Sequence, residues 1–130
     1  MGARMLVIED NPTNLELMTY LLAAFGHSAL SAKTGEEGVT LALEQHPDLI
    51  LCDIHLPDIN GFEVFRRIRA APELADVKVV AVTASAMAGD RESVLAHGFD
   101  GYMSKPIVPE TFVPDVERFL DNSDGHDPRR

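Results

Sequence analysis

The chain reads as an open, mostly parallel α/β sheet with helices on both faces, and three observations predict it. Met5–Ile8, Leu49–Cys52 and Val79–Val82 are continuous apolar runs, the pattern of strands covered on both sides rather than on one. Segments with helical spacing separate them, so strand and helix alternate five times. That alternation predicts right-handed βαβ units and a doubly wound sheet. Finally, four apolar runs end in polar residues of different kinds. MLVI leads to Glu9 and Asp10, LILC to Asp53, VVAV to Thr83, and GYMS to Lys105 and Pro106. Ligands of such sheets bind outside the carboxyl ends of the strands, so these side chains are expected in one crevice.

Taken singly, the apolar runs could also be pieces of buried helix; the intervening segments favour strands. Asn11 and Pro12 suit the N-cap and first position of a helix. Leu15, Met18, Leu22 and Phe25 then recur at helical spacing, and Gly26 supplies the stop. Ala29–Ala32 is a short second strand. Thr34 and Glu37 form a capping box, with Val39, Ala42 and Leu43 on one face and Pro47 ending the helix. Asn60 and Gly61 open a third helix, with Phe62, Phe65 and Ile68 inward and Pro72 as its stop. Gly89–Ala96 is a fourth, weakly periodic helix. Pro109 suits a fifth helix start, but Pro114 follows five residues later, and an interior proline removes a backbone bond and clashes with the preceding turn. The last helix is therefore expected either to kink or to begin at Pro114. The polar tail 121–130 contains Gly125 and Pro128 and reads as disordered.

Bulk properties narrow the function. The 130 residues are 45% hydrophobic, enough for one domain with its own core. Eleven basic and 21 acidic residues give a net charge of -10, which argues against a nucleic-acid partner. The one cysteine, Cys52, allows no internal disulfide and fits a reducing compartment. No apolar run reaches the ~20 residues of a membrane span, and Met5–Ile8 is too short for the core of a signal peptide. A cytoplasmic protein without a membrane partner is expected.

The residues at the strand ends each have a plain structural reading and a chemical one. Asp10 precedes a helix and could simply complement its dipole. With Glu9 it could instead hold a hard divalent cation through carboxylate oxygens. Asp53 could be a solvated turn residue. Beside Glu9 and Asp10 it makes a cluster of like charges that invites a cation, and an aspartate can act as a nucleophile toward phosphorus. Thr83 could be a mere strand exit, or its hydroxyl could bond a phosphoryl oxygen. Lys105 could be a surface lysine, or the counter-charge for Asp53 and a phosphoryl group carried there. Pro106 makes a cis peptide accessible, which would aim Lys105 inward.

Together the stretches VIEDNPTN, LILCDIHLPDINGFE, VVAVTASAMAGD and GYMSKPI resemble the response-regulator receiver domain of two-component signalling, across residues 4–120. TASAMAGD is similar to the same stretch in single-domain regulators of the DivK kind and in receivers fused to hybrid kinases. The resemblance implies a flavodoxin-like (βα)5 fold with strand order 2-1-3-4-5. It implies that Asp53 accepts a phosphoryl group from a histidine kinase or histidine phosphotransfer protein. Glu9, Asp10 and Asp53 would hold magnesium, or manganese, with the backbone carbonyl of His55. Thr83 would be the switch hydroxyl, Tyr102 the switch aromatic and Lys105 the phosphoryl partner. A downstream protein would bind the face built from the fourth helix, fifth strand and fifth helix. The protein would then be a signalling switch that phosphorylates and dephosphorylates itself, rather than an enzyme acting on other substrates.

Some positions stand apart from the pattern. His55, two after Asp53, and Ser85, two after Thr83, are positions that tune phosphoryl lifetime in this family. The His55 side chain could also be read as a further metal ligand. His27, His46, His97 and His126 show no metal spacing and read as surface residues. Pro114 breaks the usual final helix. The early Met1 and short tail point to a small natural protein, with a receiver cut from a hybrid kinase as the alternative. Two readings from other classes remain. A phosphatase-type hydrolase with an aspartyl nucleophile would want a second acid at position 55, which is His. A flavin or nucleotide module would want a phosphate-cradling loop after the first strand, where EDNPTN is acidic.

Overall fold

A computed structural model describes residues 2–84 and 90–121, with the backbone alone at Asp90 and Asp121. The strands β1 (Arg4–Ile8), β2 (Ser28–Ala32), β3 (Leu49–Cys52), β4 (Lys78–Thr83) and β5 (Gly101–Ser104) form one parallel sheet. Their order is β2-β1-β3-β4-β5, the doubly wound arrangement expected. Helices α1 (Pro12–Ala24), α2 (Gly35–Gln45), α3 (Gly61–Ala70), α4 (Asp90–Ala96) and α5 (Pro109–Asp121) connect and follow the strands, with a 3₁₀ turn at Pro72–Leu74.

The unbroken apolar runs have the reason proposed for them. Along β1, Met5 and Val7 join the core under α1 and α5, while Leu6 and Ile8 join the core on the opposite face. Leu15, Met18 and Leu22 of α1 pack with Phe112, Val113 and Val116 of α5 on one side. Ala42 of α2, Val64, Phe65 and Ile68 of α3 and Val94 of α4 pack on the other. A strand with both sides covered has no position for a polar residue until it leaves the sheet. That is where the charged residues stand.

Local signals read from the chain hold in most places. The Asn11 side chain accepts from the Asn14 N–H at 3.0 Å, and Asn60 accepts from Glu63 at 2.9 Å. Thr34 accepts from the Glu37 N–H at 3.1 Å, but the Glu37 carboxylate returns to the Lys33 N–H rather than to that of Thr34. Gly26 ends α1 at φ 91°, with its N–H on the Ala23 carbonyl and the His27 N–H on that of Leu22.

Three expectations are corrected, and one alternative is excluded. Phe25 does not join the inward face of α1. It follows the last helical turn as C-cap and is 58% exposed, and Leu21 is buried instead. Leu43 also faces outward. The buried side of α2 runs through Gly35, Gly38 and Ala42, and a Cβ on Gly38 would stand 2.4 Å from the Ile8 side chain. A helix seated that closely has room for small residues only, and Leu43 lies a step round from Ala42. His27 is no surface residue. Its ring is 7% exposed, takes the Ala3 N–H on Nδ1 at 3.0 Å and meets Glu117 Oε2 at 2.8 Å. Of the two courses left open for the fifth helix, a start at Pro114 is excluded. It begins at Pro109 and carries Pro114 inside it. The Ser85 position, the Gly89 start of the fourth helix, His126 and the expected tail beyond Asp121 lie outside the described residues.

Pro114 is exposed, so replacing it removes no packing. Within a helix proline costs about 3 kcal/mol relative to alanine, partly offset by its stiffening of the unfolded chain, about 0.4–1 kcal/mol. Pro114→Ala is expected to stabilise the protein by about 2 kcal/mol, read from the urea midpoint. An unchanged or lowered midpoint would show that α5 tolerates the proline without cost.

Candidate functional site

The carboxyl edge of the sheet gathers the polar strand ends. Glu9 and Asp10 follow β1, Asp53 follows β3, and Lys105 follows β5. Neighbouring register sets their level: Ile8 pairs with Cys52, and Cys52 with Ala81. The residues just after β1 and β3 therefore emerge side by side. Glu9 is fully buried, Asp53 is 5% exposed, and Asp10 is exposed. One oxygen from each of these three carboxylates lies within 4.8 Å of the others.

Lys105 enters this group from the far side. Its Nζ stands 2.6 Å from Glu9 Oε1 and 2.9 Å from Asp53 Oδ2. The Lys105–Pro106 peptide is cis, as expected, and the Lys105 N–H donates to the Thr83 carbonyl at 3.0 Å. The second oxygen of each carboxylate meets the backbone. Glu9 Oε2 accepts from the Asn11 N–H at 3.1 Å, and Asp53 Oδ1 accepts from the His55 N–H at 3.1 Å. Asn11 thus serves both the helix and the site, by side chain and backbone respectively.

Glu9 Oε1 is peculiar. The Lys105 ammonium is close to it, yet this buried oxygen receives no well-directed hydrogen bond. A buried acceptor without a directed donor is costly and rare. Three carboxylates face one ammonium here, leaving an excess of negative charge in a partly dry cleft. All the donor atoms are hard oxygens, the set that a magnesium-sized cation takes. The residues present therefore fit such an ion.

The titration behaviour agrees with this picture. Burial raises the Glu9 carboxyl above its ordinary value, and the Asp53 charge adds to it, against the opposing pull of Lys105 and the Asn11 N–H. Burial works against the Lys105 charge, but Glu9 and Asp53 outweigh it and hold the ammonium more firmly protonated than usual. Burial, with the nearby Asp53 and Glu9 charges, pushes the Cys52 thiol far up. Cys52 is thus a packing residue, not a nucleophile.

The other predicted residues are placed as follows. Thr83 is buried to 1% exposure at the end of β4. Tyr102 pairs with Ala81 in the sheet, two positions before the Thr83–Ser104 pair. It is half-buried and packs against the core on the α2–α4 side. The His55 side chain is exposed and is not among the clustered ligands. His46 and His97 are exposed; the His97 ring stands 4.2 Å from that of Phe62. The start of α3 presses on the site from below. The Gly61 N–H donates to the Ile54 carbonyl at 2.8 Å, and a Cβ on Gly61 would come 2.6 Å from the Asp53 carbonyl oxygen. Only glycine permits that approach. Asp58 is the structural residue that sequence reasoning missed. Its carboxylate crosses to the N–H groups of Gly35 and Glu36, a contact 23 residues away in the chain that no local signal marks.

Comparison with known proteins agrees with this geometry. The model of the response regulator receiver domain matches residues 5–117. The chain belongs to the response regulator receiver family. The polar-differentiation response regulator DivK of Brucella ovis is 39% identical over 120 residues, covering 92% of this chain and 98% of that one. DivK of Brucella anthropi is 38% identical over the same span. Among solved structures, the receiver domain of a Pseudomonas aeruginosa sensor histidine kinase matches with a TM-score of 0.84 at 32% identity. The match covers 93% of this chain and 99% of that one, and that receiver was crystallised with a magnesium ion coordinated in its active-site cleft. The chemotaxis response regulator CheY4 of Vibrio cholerae, 23% identical, shares the fold with a TM-score of 0.86 over 92% of this chain and 99% of that one. The protein is a receiver domain, a signalling switch with a CheY-like fold, and receivers as a family bind magnesium in an acidic pocket of this composition. No described helix is long and apolar enough to cross a membrane.

Lys105→Met would leave two buried carboxylates facing each other. Removing one partner from a buried ion pair costs about 3–5 kcal/mol, and about 3 kcal/mol is expected at neutral pH. The sign of the pH dependence follows from Glu9. Its folded pKa already lies above the ordinary value and would rise further without the ammonium. A carboxyl raised in this way costs stability in full above its folded pKa and nothing below its unfolded one. The deficit of Lys105→Met relative to wild type should therefore shrink steadily on acidification, as measured by urea unfolding across pH. A pH-independent deficit would contradict this account of the cluster.

Proposed function

We propose that Asp53 is the phosphoacceptor of this receiver, charged by a histidine kinase or histidine phosphotransfer protein in a magnesium-dependent step. The observation that carries the reading is the Asp53 carboxylate itself. It is buried at the end of β3, 2.9 Å from the Lys105 ammonium and grouped with Glu9 and Asp10. In the transfer, an Asp53 carboxylate oxygen attacks phosphorus of a phosphohistidine. The P–N bond breaks, the ring nitrogen keeps the electron pair, and an aspartyl phosphate remains. Attack by water on that phosphorus returns the carboxylate and releases inorganic phosphate.

Glu9, Asp10, Asp53 and the backbone carbonyl of His55 are the groups that would hold magnesium, or manganese. The ion supplies neutralisation of charge on the transferring oxygens. Lys105 holds Asp53 before transfer and a phosphoryl oxygen after it, so one ammonium serves both states. Thr83 is the switch hydroxyl and Tyr102 the switch aromatic, placed on neighbouring strands close enough for one rearrangement to move both. The receiver unit spans residues 4–120 and works in the cytoplasm. Its output surface is the face of α4, β5 and α5. A cleft of about 600 Å³ lies there, lined by Tyr102, Pro106, Val108, Asp115 and Phe119 among others. The partner on that face is a protein, recognised differently in the two phosphorylation states.

Acetyl phosphate with magnesium is expected to label the wild type, and borohydride trapping should map the label to Asp53. Label on another residue, or undiminished label in Asp53→Asn, would overturn the assignment.

A phosphoryl group shifts the switch only by its differential affinity for the two conformers. A hydrogen bond from Thr83 to a charged oxygen contributes about 1.5–3 kcal/mol, roughly a 10- to 150-fold shift in population. Thr83→Ala should therefore still accept phosphoryl at Asp53 but lose most of its response. The response is read from Tyr102 ring shifts with and without beryllofluoride, a phosphoryl mimic. A full response in Thr83→Ala would rule out this coupling while leaving the phosphoacceptor in place.

A further inference from the structure

The loop from Asp53 to Asn60 carries His55, whose carbonyl belongs to the proposed metal site. Both ends of that loop are tied down. Ile54 accepts the Gly61 N–H at 2.8 Å, and Asn60 caps α3. Its middle is tied to a different helix. Asp58 Oδ1 accepts the Gly35 N–H at 2.8 Å, and Oδ2 accepts the Glu36 N–H at 2.8 Å. These are the first two N–H groups of α2, and Thr34 takes the third. Two of the free donors that open any helix are here used by the loop.

Two further contacts cross the same junction. Ile59 lies directly under Gly35, where a Cβ would meet Ile59 Cγ1 at 2.5 Å and Val64 Cγ2 at 2.9 Å. Arg67 of α3 pairs with Glu36 of α2 at 2.9 Å, and also with Glu63 at 2.8 Å. Glu63, held by Arg66 and Arg67, is pulled down to a pKa of about 2. Asp58 stays ionised in turn. Its slight burial works the other way, but the N–H groups of Glu36, Gly35, Ile59 and Asp58 itself hold its carboxyl below the ordinary value.

We propose that Asp58 is a positioning residue of the phosphoacceptor site. By gripping Gly35 and Glu36, it sets the path of loop 54–60, and hence where the His55 carbonyl stands for the cation. The inference rests on the magnesium-site reading given above. Its physical basis is that a carboxylate with one oxygen on each of two N–H groups is directional as well as strong. Groups that orient a metal ligand without touching the metal typically alter affinity by about 10- to 100-fold when removed. A loop released from α2 must be ordered afresh on each binding event, and that entropy weakens the ion.

The test is a magnesium titration of the full chain, followed by the amide shifts of Asp53 and His55. Asp58→Ala is expected to bind magnesium about 10-fold more weakly. Asp58→Asn, which retains one good acceptor oxygen and the shape, should fall between it and wild type and covers the case in which Asp58→Ala does not fold. Thr34→Ala removes a cap from the same helix without touching the loop, and should bind like wild type. Wild-type affinity in both Asp58 variants would overturn the proposal, as would an equal loss in Thr34→Ala, because α2 stability alone would then be responsible. A wild type that binds no magnesium would overturn the underlying metal-site reading, and this inference with it.

Discussion

Lys105 sets an ammonium between two buried carboxylates, Glu9 and Asp53, at distances that leave little room for water. Neither acid could remain charged there alone, because removing a charge from water costs far more than a single hydrogen bond returns. The ammonium brings the cluster close to tolerable and still leaves it short. Two negative charges remain in excess, counting Asp10, and Glu9 Oε1 has an ionic neighbour but no directed donor. That deficit suits a hard cation, the kind of ion that receivers as a family take in such an acidic pocket.

The rest of the fold can be understood as what holds this deficit in place. The runs Met5–Ile8, Leu49–Cys52 and Val79–Val82 are apolar and buried throughout, so the polar groups of the site appear where those runs end. The parallel register brings those ends to one level. The helices are seated closely where the site needs support. Gly61 lets α3 rest on the backbone of Asp53 and Ile54, and Gly38 lets α2 lie on Ile8, the residue just before Glu9. The far end of the sheet has its own tie, in which the buried His27 ring joins the Ala3 backbone to Glu117 of α5. Close packing at Gly38 and Gly61 thus supports the strand ends that carry Glu9 and Asp53.

The comparison of chain and structure is clearest in particular elements. The caps at Asn11, Thr34 and Asn60 and the stop at Gly26 depend on contacts within a few residues, and all were legible. The strand-end residues Glu9, Asp10, Asp53, Thr83 and Lys105 were legible because both the fold class and the polarity break are local patterns. Phe25 and Leu43 were misplaced because periodicity says which residues share a face, not where a helix ends or how closely it sits. His27 was read as a surface residue because its partners, Ala3 and Glu117, lie 24 and 90 residues away in the chain.

By itself, then, the order of residues determined the alternation of strand and helix, the burial of both sheet faces and the edge at which charge collects. Each follows from short-range sterics, capping chemistry and the hydrophobic effect. Only the tertiary structure decided that Lys105 reaches Glu9 as well as Asp53, and that Glu9 Oε1 lacks a directed donor. It likewise decided that Asp58 ties the site loop to α2, and that α5 runs through Pro114 from Pro109. These are long-range pairings. Their energies depend on distances of a few tenths of an ångström between segments far apart in the chain, and no local pattern encodes such distances.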